Sequence, residues 1–329
     1  MPEVTLGHAA ATLEDGSDLA TPFWRVDSGR DGPALLLMAA QHGNEVQGAE
    51  VALRFRDVCA QGLVAGSVWL LPMASLPAVR ARRHSPDLGP EQPGRYTQGR
   101  NMQQVWPGNP EGNDIERIAF AIDREVFSRC DHYVDMHCWN HFWAAATLAG
   151  RNYEGARLMG EATTTRFVMW RDSAPATSHP AMSSQIMFER GGVAICIELS
   201  GQFQIVERQV LMGLQSMVNV AKVLGMLEGD PELIEGPRAA ISAETSHEVH
   251  APCTGLFVGA GLIPDDYVQA GQLLGHIISD RDLETVEIVA PVSGYLWKYG
   301  CHRPICDASL PDQHPYADEG DMLALVVTA

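Results

Sequence analysis

Three strand-like runs end in side chains that can bind a metal or move a proton. Residues 35–40 lead into Gln41-His42-Gly43-Asn44-Glu45, residues 133–136 into His137, and residues 193–197 into Glu198. Two imidazoles and one carboxylate can hold a tetrahedral Zn²⁺ and leave one position open to water. Such an ion brings the pKa of its water down to about 7. Glu198 is then the candidate to take the water's proton and hand it to a leaving amine. His42 and Glu45 are three residues apart at a strand-to-helix turn. Asn44 is expected to cap a helix beginning at Glu45, so that histidine from the loop and glutamate from the first helical turn meet on one ion. Asp135 lies two residues before His137 on the same strand face, where it would orient a ligand histidine. Each of these side chains has an ordinary reading by itself: a capping histidine, a core histidine, a strand-end glutamate facing water. Their arrival at three strand ends is what favours a metal site.

These residues need a scaffold that brings strand ends together. Strand-length apolar runs fall at 34–40, 68–73, 132–136 and 193–199, and helical periodicity at 45–59, 115–127 and 205–227. Strands alternating with helices predict an α/β domain over residues 1–240 with a parallel or mixed sheet. Ligands in such sheets lie at the carboxyl ends of the strands. Residues 228–245, rich in Glu, Pro and Gly, read as a linker. From 241 to 329 the helical signal vanishes and an internal repeat takes over. Val249-His250-Ala251-Pro252-Cys253-Thr254-Gly255-Leu256 matches Val289-Ala290-Pro291-Val292-Ser293-Gly294-Tyr295-Leu296. Val268-Gln269-Ala270-Gly271-Gln272-Leu273-Leu274 matches Ala317-Asp318-Glu319-Gly320-Asp321-Met322-Leu323. The repeat predicts an all-β, barrel-sandwich-like domain of pseudo-two-fold symmetry. Carrier domains of that type present a lysine at a hairpin tip. The stretch Asp280-Arg281-Asp282-Leu283-Glu284 has none, which argues against a swinging arm.

Composition narrows the function class. The 329 residues carry 23 Lys+Arg against 41 Asp+Glu, a net charge of −18. So acidic a surface excludes nucleic acid and anionic membrane as expected partners and leaves a small molecule. The longest clean apolar run, 34–40, is too short to cross a bilayer. The N-terminus has neither a basic nor an apolar signal region. The seven cysteines are scattered, as in a reduced, cytoplasmic protein. A homo-oligomer is compatible with the sequence, which does not fix the oligomeric state.

The order His42-x-x-Glu45, Asp135-x-His137, Glu198-x-x-Gly201 resembles the succinylglutamate desuccinylase/aspartoacylase family, a branch of the zinc-carboxypeptidase-like fold. The resemblance spans nearly the whole chain, including a C-terminal β domain with Ala-Pro-x-x-Gly repeats. It implies a mixed sheet flanked by helices and one Zn²⁺ per chain on His42, Glu45 and His137. It also implies Glu198 as general acid/base and hydrolysis of an amide, usually in an N-acyl amino acid. The middle motif departs from the family. An arginine followed by Asn-Leu-Asn-Arg, an aromatic and Pro-Gly becomes here Arg95, then Asn101-Met102-Gln103-Gln104, then Trp106-Pro107-Gly108. Gln103 and Gln104 replace the pair that grips the substrate carboxylate in relatives, and glutamine cannot form a bidentate ionic fork. Arg95 keeps the role of polarising the scissile carbonyl. Arg100, Asn101, Gln103 and Gln104 are the candidate substrate contacts. Residues 80–100 hold five arginines against Asp87 and Glu91, a locally positive stretch suited to an anionic or carbonyl-rich ligand.

Two other readings fit the same residues. A metallocarboxypeptidase would need an open groove and a positive anchor for a peptide carboxylate. A binding protein would keep the ligands without turnover, which the retained Glu198 argues against. Lesser candidates are a second metal group (Cys301-His302, Cys306-Asp307, His314), a tuning role for Cys138, pocket lining by Trp139 and His141, and a tyrosine from the β domain (Tyr267, Tyr295 or Tyr299).

Overall fold

Strands buried on both faces read as unbroken apolar runs, and four such runs form the middle of a nine-stranded sheet. The computed structural model describes residues 1–87, 100–172, 181–302 and 314–328. The chain begins with a hairpin of β1 (Glu3–Thr12) and β2 (Asp18–Asp27). Then follow β3 (Ala34–Ala39), α1 (Gln47–Gly62), β4 (Ser67–Leu71), α2 (Leu76–Ala81) and α3 (Asp114–Glu125). Next come β5 (His132–Trp139), β6 (Ala146–Gly150), α4 (Glu154–Ala162) and β7 (Phe167–Arg171). The layer ends with α5 (Ser183–Glu189), β8 (Val193–Ser200), α6 (Glu207–Val223) and β9 (Ala239–Ala240).

The strand order is β1-β2-β4-β3-β5-β8-β6-β7-β9. β4, β3, β5 and β8 run parallel, while β2 and β6 join this core antiparallel on either side. From β3 the chain passes to β4 on one side and later returns to β5 on the other, so a topological switch point lies between β3 and β5. The connections leave these two strands toward opposite sides, and in open α/β sheets ligands bind beyond the strand ends at such a point.

Alternation along the strands sorts the side chains into two layers. Leu35, Leu37 and Ala39 of β3, Val134, Met136 and Cys138 of β5, and Ile195, Ile197 and Leu199 of β8 pack with α1 and α6. Leu36, Met38 and Tyr133 pack on the opposite face against α3 and Trp106. Asp135 and His137 share the face of Tyr133 by period two. α3 is held by a capping box in which Asn113 accepts from the Glu116 backbone N–H and the Glu116 side chain accepts from the Asn113 N–H.

Two expectations are corrected here. Asn44 is not the cap of α1: the helix starts at Gln47 with Val46 as its N-cap, and no side chain caps it. Glu45 therefore sits in the turn before the helix, its N–H donating to the His42 carbonyl at 3.1 Å. The presumed linker also contributes to the sheet, since β9 pairs in parallel with β7.

The C-terminal part builds β10 (Ser246–His250), β11 (Gly255–Gly259), β12 (Tyr267–Val268) and β13 (Leu273–Ser279). β14 (Thr285–Val289), β15 (Gly294–His302), β16 (Tyr316–Ala317) and β17 (Met322–Val327) repeat the pattern. The internal repeat equates β10–β13 with β14–β17. The two four-stranded sheets are β10-β17-β15-β12 and β14-β13-β11-β16, and this equivalence converts one order into the other. Each repeat thus donates two strands to each sheet, and neither copy can bury its apolar face alone. Among the described residues the antiparallel sheets are open, with no hydrogen bonding that closes a barrel.

The β layer joins the large sheet next to β5. The Ala144 N–H donates to the Trp297 carbonyl and the Tyr299 N–H to the Phe142 carbonyl, both at 2.9 Å. Trp139, Trp143 and Trp297 pack together beside this seam, and the Lys298 ammonium lies 3.8 Å from the Trp143 ring centre. No helix among the described residues is long and apolar enough to cross a membrane.

The turn that carries His42 and Glu45 has no room for a side chain at Gly43, where a Cβ would meet the Ala78 carbonyl at 2.0 Å. Gly43→Ala should therefore cost about 1–3 kcal/mol, read as a lowered melting temperature. Gly62→Ala, whose Cβ would meet nothing closer than the Leu227 methyl at 3.7 Å, should not lower it.

Candidate metal centre

The residues after β3 turn sharply, with Ala40 at a φ of 50°. Beyond it, His42, Asn44 and Glu45 are all buried. β5 extends three residues past the expected 136, so His137 lies within the strand beside Glu198 of β8 in the parallel register. Gln47 ties this edge together. Its amide donates to the Ser200 and Gly201 carbonyls at 2.8 and 2.7 Å and accepts from the Val206 N–H at 3.0 Å.

His137 is clamped between two buried carboxylates. Its Nδ1 lies 2.8 Å from Glu45 Oε2 and its Nε2 3.1 Å from Asp135 Oδ1. Glu45 Oε2 also accepts from the Cys138 N–H at 3.0 Å, and Oε1 from the Gln202 amide at 3.1 Å. Asp135 accepts from the Gln41 amide at 2.8 Å and the Ser183 hydroxyl at 3.2 Å, while the Trp106 indole N–H donates to Gln41 Oε1 at 2.8 Å. Asp135 thus bonds His137 as its spacing predicts.

Burial opposes the charge on both carboxylates. The two histidines beside Glu45 outweigh it and hold that group down near 2, and His137 does the same for Asp135. For His137 the two carboxylates overcome burial and raise its pKa. His42 shifts down because burial exceeds the pull of Glu45. Glu198 is pushed up to about 8, by burial first, with Glu45 and Asp135 adding repulsion against the attraction of His137. A carboxyl group displaced this far beside buried histidines marks a candidate functional site.

Two residues enter the site that strand-end reasoning does not supply in these places. His84, from the loop after α2, stacks on His42 with ring centres 3.7 Å apart. One donor atom from each of His42, Glu45 and His84 fits within 4.8 Å of the others. Gln103, expected to touch substrate, instead reaches both histidines: its Oε1 lies 3.3 Å from His42 Nε2 and its Nε2 3.3 Å from His137 Nε2. Asn101 is buried and accepts from the Gln103 N–H, fixing the short turn that aims Gln103 inward. Gln104 belongs to the same turn, and Arg100 is exposed. Arg95 lies outside the described residues.

The donor set fits a divalent cation of borderline hardness: imidazole nitrogens and one carboxylate in a buried, oriented pocket. In this arrangement a proton between His137 Nδ1 and Glu45 Oε2 sits where ligation would require it to leave. The pairing of His137 Nε2 with Asp135 is the outer hydrogen bond that ligand histidines require.

The lesser candidates fall elsewhere. The Cys138 thiol points into the core while its N–H serves Glu45. Trp139 packs in the seam, and its indole donates to the Ala144 carbonyl. His141 lines a separate cavity of about 450 Å³ with Phe142, Phe257, Tyr299 and Cys301. Tyr295 underlies the Arg166 guanidinium, Tyr267 packs on Tyr295, and the Tyr299 hydroxyl donates to the Leu274 carbonyl. The Cys301 thiol donates to the Tyr316 carbonyl. Cys306 and Asp307 lie outside the described residues.

Comparisons with known proteins agree with this architecture. The family model of the succinylglutamate desuccinylase/aspartoacylase catalytic domain matches residues 31–224. The chain is 24% identical over 259 residues to N-alpha-acetyl-L-2,4-diaminobutyric acid deacetylase of Halomonas elongata, covering 75% of this chain and 71% of that protein. An aspartoacylase family protein of Mesorhizobium loti superposes with a TM-score of 0.69 at 20% identity, over 100% of this chain and 96% of the other. The product-bound ectoine utilization protein EutE (DoeB) of Ruegeria pomeroyi gives 0.68 at 21% identity, over 100% and 98%. A metallo-carboxypeptidase of Burkholderia cenocepacia gives 0.51 at 14% identity, over 68% and 65%, a likeness in fold. With the model covering more than half of its length, the chain belongs to the succinylglutamate desuccinylase/aspartoacylase family.

Proposed function

We propose that this protein hydrolyses the amide bond of a small N-acyl amino acid or N-acyl amine with the help of one Zn²⁺. The observation that carries this reading is the placement of Glu198. It lies in register beside His137, at the edge where His42 and Glu45 also arrive, with its pKa raised to about 8. His42, Glu45 and His137 would hold the cation. When bound, the cation supplies Lewis acidity toward the amide carbonyl and makes water ionisable near pH 7.

The chain's own groups do the rest. Asp135, fixed by Gln41 and Ser183, holds His137 Nε2, so the imidazole is oriented before any ligand arrives. A Glu198 carboxylate oxygen accepts a proton from the attacking water and returns it to the nitrogen of the breaking C–N bond. A group titrating near neutrality serves both transfers. Arg95 is the proposed donor to the carbonyl oxygen. With Gln103 turned to the two histidines, Gln104 is left to offer an amide where the family has a charged fork, so selection of the amine half rests on hydrogen bonds rather than on a bidentate ion pair. The deacetylase likeness supports an N-acyl diamino acid as the first substrate to try.

A panel of N-acetylated and N-succinylated amino acids and diamines, scored for amine release, tests the reading. Turnover of at least one member is expected, and none with a fully zinc-loaded protein would refute it. Glu198→Gln should keep the cation and lose turnover by a factor of about 10² or more, whereas His42→Ala should lose the cation, measured by elemental analysis.

A stability prediction follows from the raised Glu198 pKa. Above its unfolded value of 4.5 the folded state pays to ionise this group, and the penalty is complete once the pH passes about 8. In chelator-treated protein, Glu198→Gln should therefore raise the melting temperature at pH 8–9, and the gain should shrink toward pH 4.5. A gain that grows toward acid pH would reverse the sign.

A further inference from the structure

We propose that His84 is a further protein donor to the cation, giving this chain three imidazoles and one carboxylate; this rests on the metal reading above.

The geometry treats His84 as it treats the other two histidines. Each imidazole has one ring nitrogen engaged by a neighbouring oxygen: His42 Nε2 by Gln103 Oε1 at 3.3 Å, His137 Nε2 by Asp135 Oδ1 at 3.1 Å, and His84 Nδ1 by Ser85 Oγ at 3.0 Å. That is how ligand histidines are oriented. The second nitrogen faces Glu45 in His137 and is buried in His42 and His84. His84 is 3% exposed and stacked on His42, and its carbonyl accepts from the Gly43 N–H at 3.3 Å. The backbones of the two histidine loops are thereby tied together. The donor atoms of His42, Glu45 and His84 already lie within 4.8 Å of one another. Two ligands on one zinc are at most ~4.2 Å apart, twice a Zn–N bond of ~2.1 Å, so these three donors need only a small contraction, and His137, joined to Glu45 at 2.8 Å, has to close on the same ion.

The consequence is a change in coordination number. Four protein donors fill a tetrahedral ion and close it to water. A hydrolytic centre with His42, Glu45, His84 and His137 must be at least five-coordinate when water is present. This chain should therefore accept cations that favour five or six ligands, such as Co²⁺ or Mn²⁺, better than a three-donor site does.

The test uses the full chain loaded with Co²⁺. Wild type should bind one ion and show the weak visible absorption of a five- or six-coordinate centre. His84→Ala should bind at least about tenfold more weakly in competition with a chromogenic chelator, and its absorption should intensify as the centre becomes four-coordinate. Equal affinity and an unchanged spectrum would overturn the role of His84 while leaving the metal reading intact. Failure of wild type to bind any divalent ion would overturn both. Should His84→Ala not fold, the proton spectrum of the Co²⁺ wild type decides: three hyperfine-shifted exchangeable imidazole signals support the proposal, and two overturn it.

Discussion

A single imidazole held between two buried carboxylates organises the carboxyl edge of the sheet. Glu45 and Asp135 are almost fully sequestered, and an unpaired charge in such a place costs several kcal/mol. His137 pairs with both, and their remaining lone pairs are met by the Gln41, Ser183 and Gln202 side chains and the Cys138 N–H. Each of these donors comes from a different element, so the turn after β3, the end of β5, the start of α5 and the loop after β8 must meet for the charges to be satisfied. Glu198 beside them has its pKa raised by burial first, and the negative field of Glu45 and Asp135 adds to that. Polar satisfaction in the buried edge and the chemical potential of the site are one arrangement.

The reach of the sequence follows from this physics. β3, β4, β5 and β8 are readable because central parallel strands are covered on both faces and appear as apolar runs. The hairpin of β1 and β2 was invisible, since its exposed face alternates with small alanines and gives no run. His42, Glu45, His137 and Glu198 are legible because residues at strand ends near a switch point share one edge whatever their separation in the chain. Asn44 looked like a helix cap by type, but the turn needs an extra residue before α1, and Val46 takes that place. His84 carries no periodic or motif signal. It reaches the site through the path of the loop after α2, and only packing against His42 brings it into view. Gln103 was recognised as a site residue by its departure from a family motif, while its contact is with the histidines rather than open space.

The C-terminal repeat shows the opposite balance. Two matching segments were enough to forecast an internal two-fold, and the strands obey it by exchanging between sheets. What the repeat did not foretell is the seam. The backbone of 142–144, immediately beyond β5, bonds to β15, so the β layer and the histidine strand share a mechanical connection. The tryptophans at that seam fill it with rigid apolar area and screen it from water.

The most direct measurement of the central claim is anomalous diffraction from crystals of the zinc-loaded protein, collected on both sides of the zinc absorption edge. The account predicts one strong peak per chain, within bonding distance of His42, Glu45 and His137 at the carboxyl ends of β3 and β5. An absent peak at full zinc loading, or one located away from these three side chains, would contradict it.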